Sequence, residues 1–215
     1  MKGLYTALVT PMLNDGALDL NGWRVNIERQ IEAGVDGLVV MGTTGESPTL
    51  SDSERDILIQ TARETIRGRT ALMVGTGSYS TQQTLAQTAQ AEILGADSVL
   101  IVTPYYNKPT QEGLYRHFMA VADSTSLPVM IYNIVGRTGQ NMTTDTLKRL
   151  AVHPRIVGVK ESSGMVSQVN EVIEQLPSQF AVMSGDDANT LFLMALGATG
   201  VISVASNLDP TSVRQ

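Results

Sequence analysis

The sequence predicts an α/β protein, a (β/α)8 TIM barrel, with residues 1–215 forming a single domain. Three observations predict it. Short apolar runs that read as strands buried on both faces recur eight times. Helix-patterned stretches separate the strands, which implies parallel pairing through right-handed crossovers. The GxGxxG of an open, doubly wound sheet is absent from the first strand–helix turn, so eight such units point to closure.

The first strand runs from Leu4 to Pro11 and ends at a proline. In the helix after it, Trp23, Ile27 and Ile31 lie four apart on one face, and Gly34 suits a C-terminal cap. Gly37 to Met41 is the second strand, running into Gly42-Thr43-Thr44-Gly45-Glu46. Ser51 with Glu54 three residues on makes a capping box for a helix that ends near Gly68. Ala71 to Gly75 is the third strand, and a helix from Thr81 to Leu94 is closed by Gly95. Strands at 98–103, 129–134, 156–160, 180–184 and 201–204 then alternate with helices over 111–122, 144–151, 166–176 and 188–196. Asn207 to Ser212 reads as the start of an eighth helix. Barrels of this kind typically take ~250 residues. The chain is therefore expected to lack helix 8 and a C-terminal helical segment, leaving an apolar flank exposed beside strands eight and one.

Composition narrows the function. Hydrophobic residues make up 42% and charged residues 17%, an ordinary globular balance. A net charge of −6 argues against nucleic acid as a partner. No apolar run is long enough for a membrane span, and the start has no signal-peptide pattern. With no cysteine there is neither a disulfide framework nor a thiolate site. A cytoplasmic protein is expected.

In such a barrel the chemistry collects at the C-terminal ends of the strands. The sixth strand, Ile156-Val157-Gly158-Val159, runs straight into Lys160. Desolvation there lowers a lysine's pKa, and a neutral amine attacks carbonyls, so Lys160 is a candidate Schiff-base nucleophile. From this stretch alone the commoner outcome is a lysine that leaves the sheet to pair with Glu161 or solvent. Strand two delivers Thr43 and Thr44, whose hydroxyls and neighbouring amides suit a carboxylate. Strand four delivers Tyr105, Tyr106 and Asn107; strand five delivers Tyr132 and Asn133, followed by Arg137. Strand seven delivers Gly185, Asp186 and Asp187. A nucleophilic amine, hydroxyl proton carriers, an anion cradle and a cationic clamp together fit an α-keto acid. A divalent-metal site would need Glu46, Glu161, Asp186 and Asp187 to converge and would leave the lysine idle. His117 and His153 fall away from the strand ends and are expected on the surface.

These residues resemble the dihydrodipicolinate synthase and N-acetylneuraminate lyase family of pyruvate-dependent class I aldolases. The matching stretches include Ala7-Leu8-Val9-Thr10-Pro11, Gly42-Thr43-Thr44-Gly45-Glu46, Tyr105-Tyr106-Asn107-Lys108-Pro109, Tyr132-Asn133, Arg137-Thr138-Gly139, Gly158-Val159-Lys160-Glu161 and Ser184-Gly185-Asp186-Asp187, in family order over essentially the whole chain. The resemblance implies that Lys160 forms an imine with pyruvate that tautomerises to an enamine. It makes Tyr132 the general acid/base, relayed through Thr43 and Tyr106, the latter supplied by a neighbouring subunit of a homodimer or homotetramer. Thr44 would hold the pyruvate carboxylate and Arg137 the carboxylate of the aldehyde. Gly185 and Ile202 match backbone positions lining the site. No cofactor and no metal is implied.

Arg137 resembles the subgroup that condenses pyruvate with L-aspartate 4-semialdehyde to 4-hydroxy-tetrahydrodipicolinate, in lysine and diaminopimelate biosynthesis. The alternatives are a lyase for a 2-keto-3-deoxy sugar acid or N-acetylneuraminate, or an inactive truncated form. Ile134-Val135-Gly136 departs from the Val-Pro that usually follows Tyr-Asn in the family. Asp52, Arg55, Tyr79 and Gln83 stand where lysine-sensitive members carry two histidines, an asparagine and a glutamate, so weak or absent inhibition by lysine is expected.

Overall fold

The computed structural model describes residues 1–215. Eight parallel strands close into a barrel in sequence order: β1 Gly3–Ala7, β2 Gly37–Val40, β3 Ala71–Gly75, β4 Ser98–Val102, β5 Val129–Asn133, β6 Ile156–Glu161, β7 Ala181–Ser184 and β8 Gly200–Ser203. The helices are α1 Leu20–Glu32, α2 Asp52–Ile66, α3 Thr81–Ile93, α4 Gln111–Ser124, α5 Val135–Thr138, α6 Thr144–Leu150, α7 Val166–Gln175, α8 Thr190–Leu196 and α9 Pro210–Arg214.

Alternation along the strands divides the core in two. One set of side chains, including Tyr5, Val39, Met73, Leu100, Met130, Met183 and Ile202, fills the lumen. The other set, including Leu38, Val40, Leu72, Ile101, Ile131, Val159 and Val182, packs outward against Trp23, Ile27, Leu58, Phe118 and Val169 of the helices. The lumen is thus packed solid below the mouth, and only the C-terminal strand ends can hold a ligand. Gly37 is needed for this filling, because a Cβ there would stand 2.1 Å from the Tyr5 ring.

Local signals are where the sequence places them. Ser51 and Glu54 form the capping box of α2, and Trp23 Nε1 donates to the Leu58 carbonyl, tying α1 to α2. The seam between β8 and β1 is closed by buried polar groups. Thr6 Oγ1 donates to Gln30 Oε1 at 2.7 Å, Gln30 Nε2 donates to the Ser206 carbonyl, and Ser206 Oγ donates to Thr6 Oγ1. Asn207 donates to the Ala7 carbonyl at 2.7 Å and accepts from Val9 N–H.

Four details depart from expectation. β1 stops at Ala7: Leu8 N–H still donates to the Val39 carbonyl at 3.0 Å, but beyond it the chain of β2 turns away into its loop and residues 9–11 pair with no strand. A single helical turn, α5, follows β5 and presents Arg137. His117 is buried, not on the surface: it packs between α4 and α3, where Nδ1 meets Thr81 Oγ1 at 2.9 Å, and burial brings its pKa down to about 4. Beside β8 and β1 the strands are covered by α1 and by the 205–214 segment. The exposed apolar side chains lie next door instead, at Leu191, Phe192 and Met194 of α8 and at Leu208. No helix is long and apolar enough to cross a membrane.

Candidate active site

The mouth of the barrel holds a cavity of about 300 Å³ whose lining includes Thr43, Thr44, Tyr132, Arg137, Lys160 and Gly185. A second cavity of about 210 Å³ adjoins it, sharing Thr43, Tyr132 and Arg137 and adding Tyr105. Six of the eight residues singled out from the sequence therefore meet at one place. The other two do not line it. Ile202 brings no side chain to it: that side chain is fully buried in the lumen, opposite Tyr5 in the β1–β8 register, and what was expected of this residue concerns its backbone. Tyr106 is 90% exposed, with its backbone in the left-handed region at φ 67°, and is not among the residues lining either cavity.

Lys160 and Tyr132 are cross-strand partners on β6 and β5, so both side chains enter the lumen side by side. The ammonium nitrogen lies 4.1 Å from the centre of the Tyr132 ring. Lys160 is only 5% exposed, and this burial brings its pKa down to about 8. Asp187 opposes the shift, and Arg137 reinforces it. Asp187 is itself held, its carboxylate accepting from the Val204 and Ala205 N–H groups at 2.9 and 3.0 Å. No carboxylate forms a salt bridge with Lys160. At pH 7 about a tenth of such a lysine is neutral, against a few parts in ~10⁴ for an ordinary one.

The Tyr132 phenol is raised by burial, while Ser162 and then Arg137 pull it the other way. Arg137 is exposed at the rim on α5, its guanidinium free of any salt bridge, so its charge is available to an anionic ligand. Thr43 and Thr44 ride on a tight turn in which Gly45 N–H donates to the Gly42 carbonyl and Glu46 N–H to that of Thr43. Thr10 Oγ1 pins this turn through the Gly45 carbonyl at 2.7 Å. Met41 and Glu46, at either end, sit at φ 57° and 53°, conformations that non-glycine residues hold only when surrounding packing imposes them.

Glu161 faces the other way, into the outer wall. Its carboxylate accepts from Ser163 N–H at 2.6 Å and from Asn133 Nδ2 at 3.1 Å. It therefore does not pair with Lys160. Asp186 is taken up by Ala188 N–H and Asn189, and Glu46 is exposed, so the four carboxylates weighed as metal ligands do not converge.

Two placements were not read from the sequence. Arg55, buried, donates to the carbonyls of Gly75 at 3.0 Å and Ser47 at 3.4 Å, clamping the Thr43 loop to the end of β3. With Asp52 and Gln83 it also lines an outer groove of about 300 Å³ between α2 and α3. Ser162 is the second. Two residues beyond Lys160, it shares the lumen face by strand alternation, a periodicity that could have marked it.

Comparison with known proteins agrees with this geometry. A model of the dihydrodipicolinate synthetase family matches residues 1–215. The 4-hydroxy-tetrahydrodipicolinate synthase of Protochlamydia amoebophila is 54% identical over 217 residues, covering all of this chain and 72% of that protein. The solved structure of the 4-hydroxy-tetrahydrodipicolinate synthase of Methylacidiphilum fumariolicum SolV superposes with a TM-score of 0.98 at 48% identity, over all of this chain and 71% of the other. A structure described as a monomeric dihydrodipicolinate synthase variant matches at 44% identity with a TM-score of 0.97, over all of this chain and 72% of the other.

Proposed function

This chain belongs to the dihydrodipicolinate synthetase family, and from that premise we propose that it condenses pyruvate with L-aspartate 4-semialdehyde to 4-hydroxy-tetrahydrodipicolinate, a lyase-class step in lysine and diaminopimelate biosynthesis. The observation that carries the proposal is a nearly solvent-free lysine, with no salt-bridge partner, beside a buried phenol at the floor of a cavity with a cationic rim.

The neutral Lys160 amine attacks C2 of pyruvate and forms a carbinolamine. The carbinolamine hydroxyl leaves as water, taking the Tyr132 proton, and the nitrogen lone pair forms the C=N bond of the imine. The cationic imine draws electrons from C3, so the phenolate recovers a proton from the methyl group and an enamine results. The enamine carbon bonds to the aldehyde carbon, and the new alkoxide takes a proton from Tyr132. The amino group of the semialdehyde then attacks the imine carbon and closes the ring; one of its protons passes to the Lys160 nitrogen, which leaves as the free amine, and the other returns to the Tyr132 phenolate as the new C=N bond forms.

Thr44 and the amides of its turn receive the pyruvate carboxylate, and Arg137 receives that of the aldehyde. Thr43 and the phenol face the same cavity, which suits a proton relay. The high exposure of Tyr106 supports a role in completing the relay of a second copy, and the proposed active form is a homodimer or homotetramer. A cytoplasmic setting goes with this biosynthetic role.

Intact mass after incubation with pyruvate and borohydride, followed by peptide mapping, tests the proposal. A reduced pyruvate adduct on Lys160 is expected. A folded chain left unmodified would overturn the Schiff-base mechanism.

A further inference from the structure

Beyond Ala7 the chain has left the sheet, yet its backbone stays fixed. Leu8 N–H donates to the Val39 carbonyl at 3.0 Å, Val9 N–H to Asn207 Oδ1 at 3.1 Å, and the Pro11 carbonyl accepts from Asp19 N–H at 3.0 Å. Among these ties lies Thr10, only 7% exposed, whose hydroxyl donates to the Gly45 carbonyl at 2.7 Å. Every other hydrogen bond of residues 42–46 comes from within residues 42–49. Thr10 is therefore the one hydrogen bond that reaches this turn from another part of the barrel.

That bond governs what the turn presents. The Gly45–Glu46 peptide is held at both ends, its carbonyl by Thr10 and its N–H by the Thr43 carbonyl at 3.0 Å. A trans peptide points its C=O and N–H in opposite directions. With the Thr43 carbonyl turned toward Glu46, the Thr44 N–H points the other way, and no group of the chain accepts from it. Thr43 and Thr44 line the cavity that holds Lys160. The turn would not keep this shape unaided, because Met41 and Glu46 at its ends hold left-handed conformations that persist only where the surroundings impose them. A Cβ on Gly45 would stand 3.0 Å from the Leu8 carbonyl and 3.2 Å from Thr10 Oγ1, so the turn rests directly on the 8–10 segment.

We propose that Thr10 is a positioning residue for the carboxylate cradle: its hydroxyl fixes the Gly45 peptide so that Thr44 keeps its N–H and hydroxyl ready for the carboxylate of the α-keto acid. The inference rests on the proposed role of Thr44 at the pyruvate carboxylate. Thr10 lines neither cavity, so it acts through the turn and not on the substrate. Amide donors stabilise an anion most where they are held in place before it arrives, since a loose turn must be ordered at each binding event. The consequence is selective. Recognition of the carboxylate depends on Thr10, whereas attack by the amine does not, because Lys160 is placed by the pairing of β6 with β5 and β7.

Borohydride trapping on Lys160 separates the two. Pyruvate and acetone are both methyl ketones, but only pyruvate carries a carboxylate, so the unmodified protein should trap pyruvate at far lower concentration. Thr10→Val, which keeps the shape and loses the donor, should raise the pyruvate concentration for half-maximal trapping about fivefold, the size of one neutral hydrogen bond. Trapping of acetone should not change. KM for pyruvate should rise in step with kcat little altered, and Thr10→Ser, which keeps the hydroxyl, should restore the pyruvate value. Thr10→Ala gives the same readout should Thr10→Val fail to fold. A folded variant without the hydroxyl that traps pyruvate like the unmodified protein overturns the inference, as does a Ser variant that behaves like Val. A parallel loss for pyruvate and acetone overturns it too, since a merely structural threonine would disturb Lys160 for both. If instead the unmodified protein shows no preference for pyruvate over acetone, the cradle itself has failed and this inference falls with it.

Discussion

On β6, Lys160 faces the lumen and Glu161, the next residue, faces the outer wall, and water is withheld from both. Desolvation moves each toward its neutral form: it lowers the lysine and raises the carboxyl. The two groups then part ways. Glu161 is met by Asn133 Nδ2 and by Ser163 N–H, and Asn133 in turn accepts from Met142 N–H and donates to Asn141. Lys160 has an aromatic face beside it, a distant carboxylate and an open cavity. Burial alone therefore does not make a group reactive. Burial with its partners withheld does, because the neutral amine's lone pair is left for a substrate.

The largest expected effect falls on the lumen side. Lys160→Ala should form no pyruvate adduct and lower turnover by about 10⁴-fold or more, while keeping a cooperative melt. Residual turnover above that level would mean the carbonyl is activated by something other than an imine. Tyr132→Phe should still trap pyruvate under borohydride, slowly, with kcat down by about 10²-fold.

The outer face should respond in stability and not in chemistry. Glu161→Ala leaves Asn133 Nδ2 and Ser163 N–H without their buried acceptor, a loss of about 2 kcal/mol, read as a lower denaturation midpoint. Its adduct should still map to Lys160. An Ala variant that stays as stable as the parent yet cannot trap pyruvate would erase the distinction between the faces.

The pH dependence sharpens the lysine side. Below its pKa of about 8 Lys160 is mostly protonated, so the rate of adduct formation should rise about tenfold per pH unit up to there and then level off. A flat profile from pH 6 to 9 would sink the assignment of the amine. The same shift has a stability sign. Between about 8 and the ordinary 10.5 the unfolded chain binds more protons at this lysine than the folded one, so the group's contribution to stability rises with pH across that window. Smallest of all is the expected response to free lysine. Asp52, Arg55 and Gln83 line the outer groove, but Arg55 is already committed to the Gly75 and Ser47 carbonyls. Steady-state assays should show no inhibition at micromolar lysine, and a micromolar inhibition constant would contradict this.

Much of this was legible along the chain because two periodicities carry it. Continuous apolar runs marked strands buried on both sides, and Trp23, Ile27 and the Ser51–Glu54 pair marked helices and a cap. A lysine ending one such run, with threonines, a tyrosine and an arginine ending others, marked the mouth. Short-range patterns cannot report what a side chain meets across the barrel. His117 reads as a surface group on α4 and is buried against Thr81 of α3.

By itself the sequence determined the order of strands and helices, the parallel closure and the identities of the groups delivered to one end of the barrel, since these arise from local periodicity and strand direction. Only the tertiary structure decided which of those groups share a cavity and that Lys160 stands without a salt-bridge partner while Glu161 is satisfied. Those outcomes depend on register between strands and on water excluded by residues far apart in the chain. Solvation, unlike periodicity, is a property of the assembled fold.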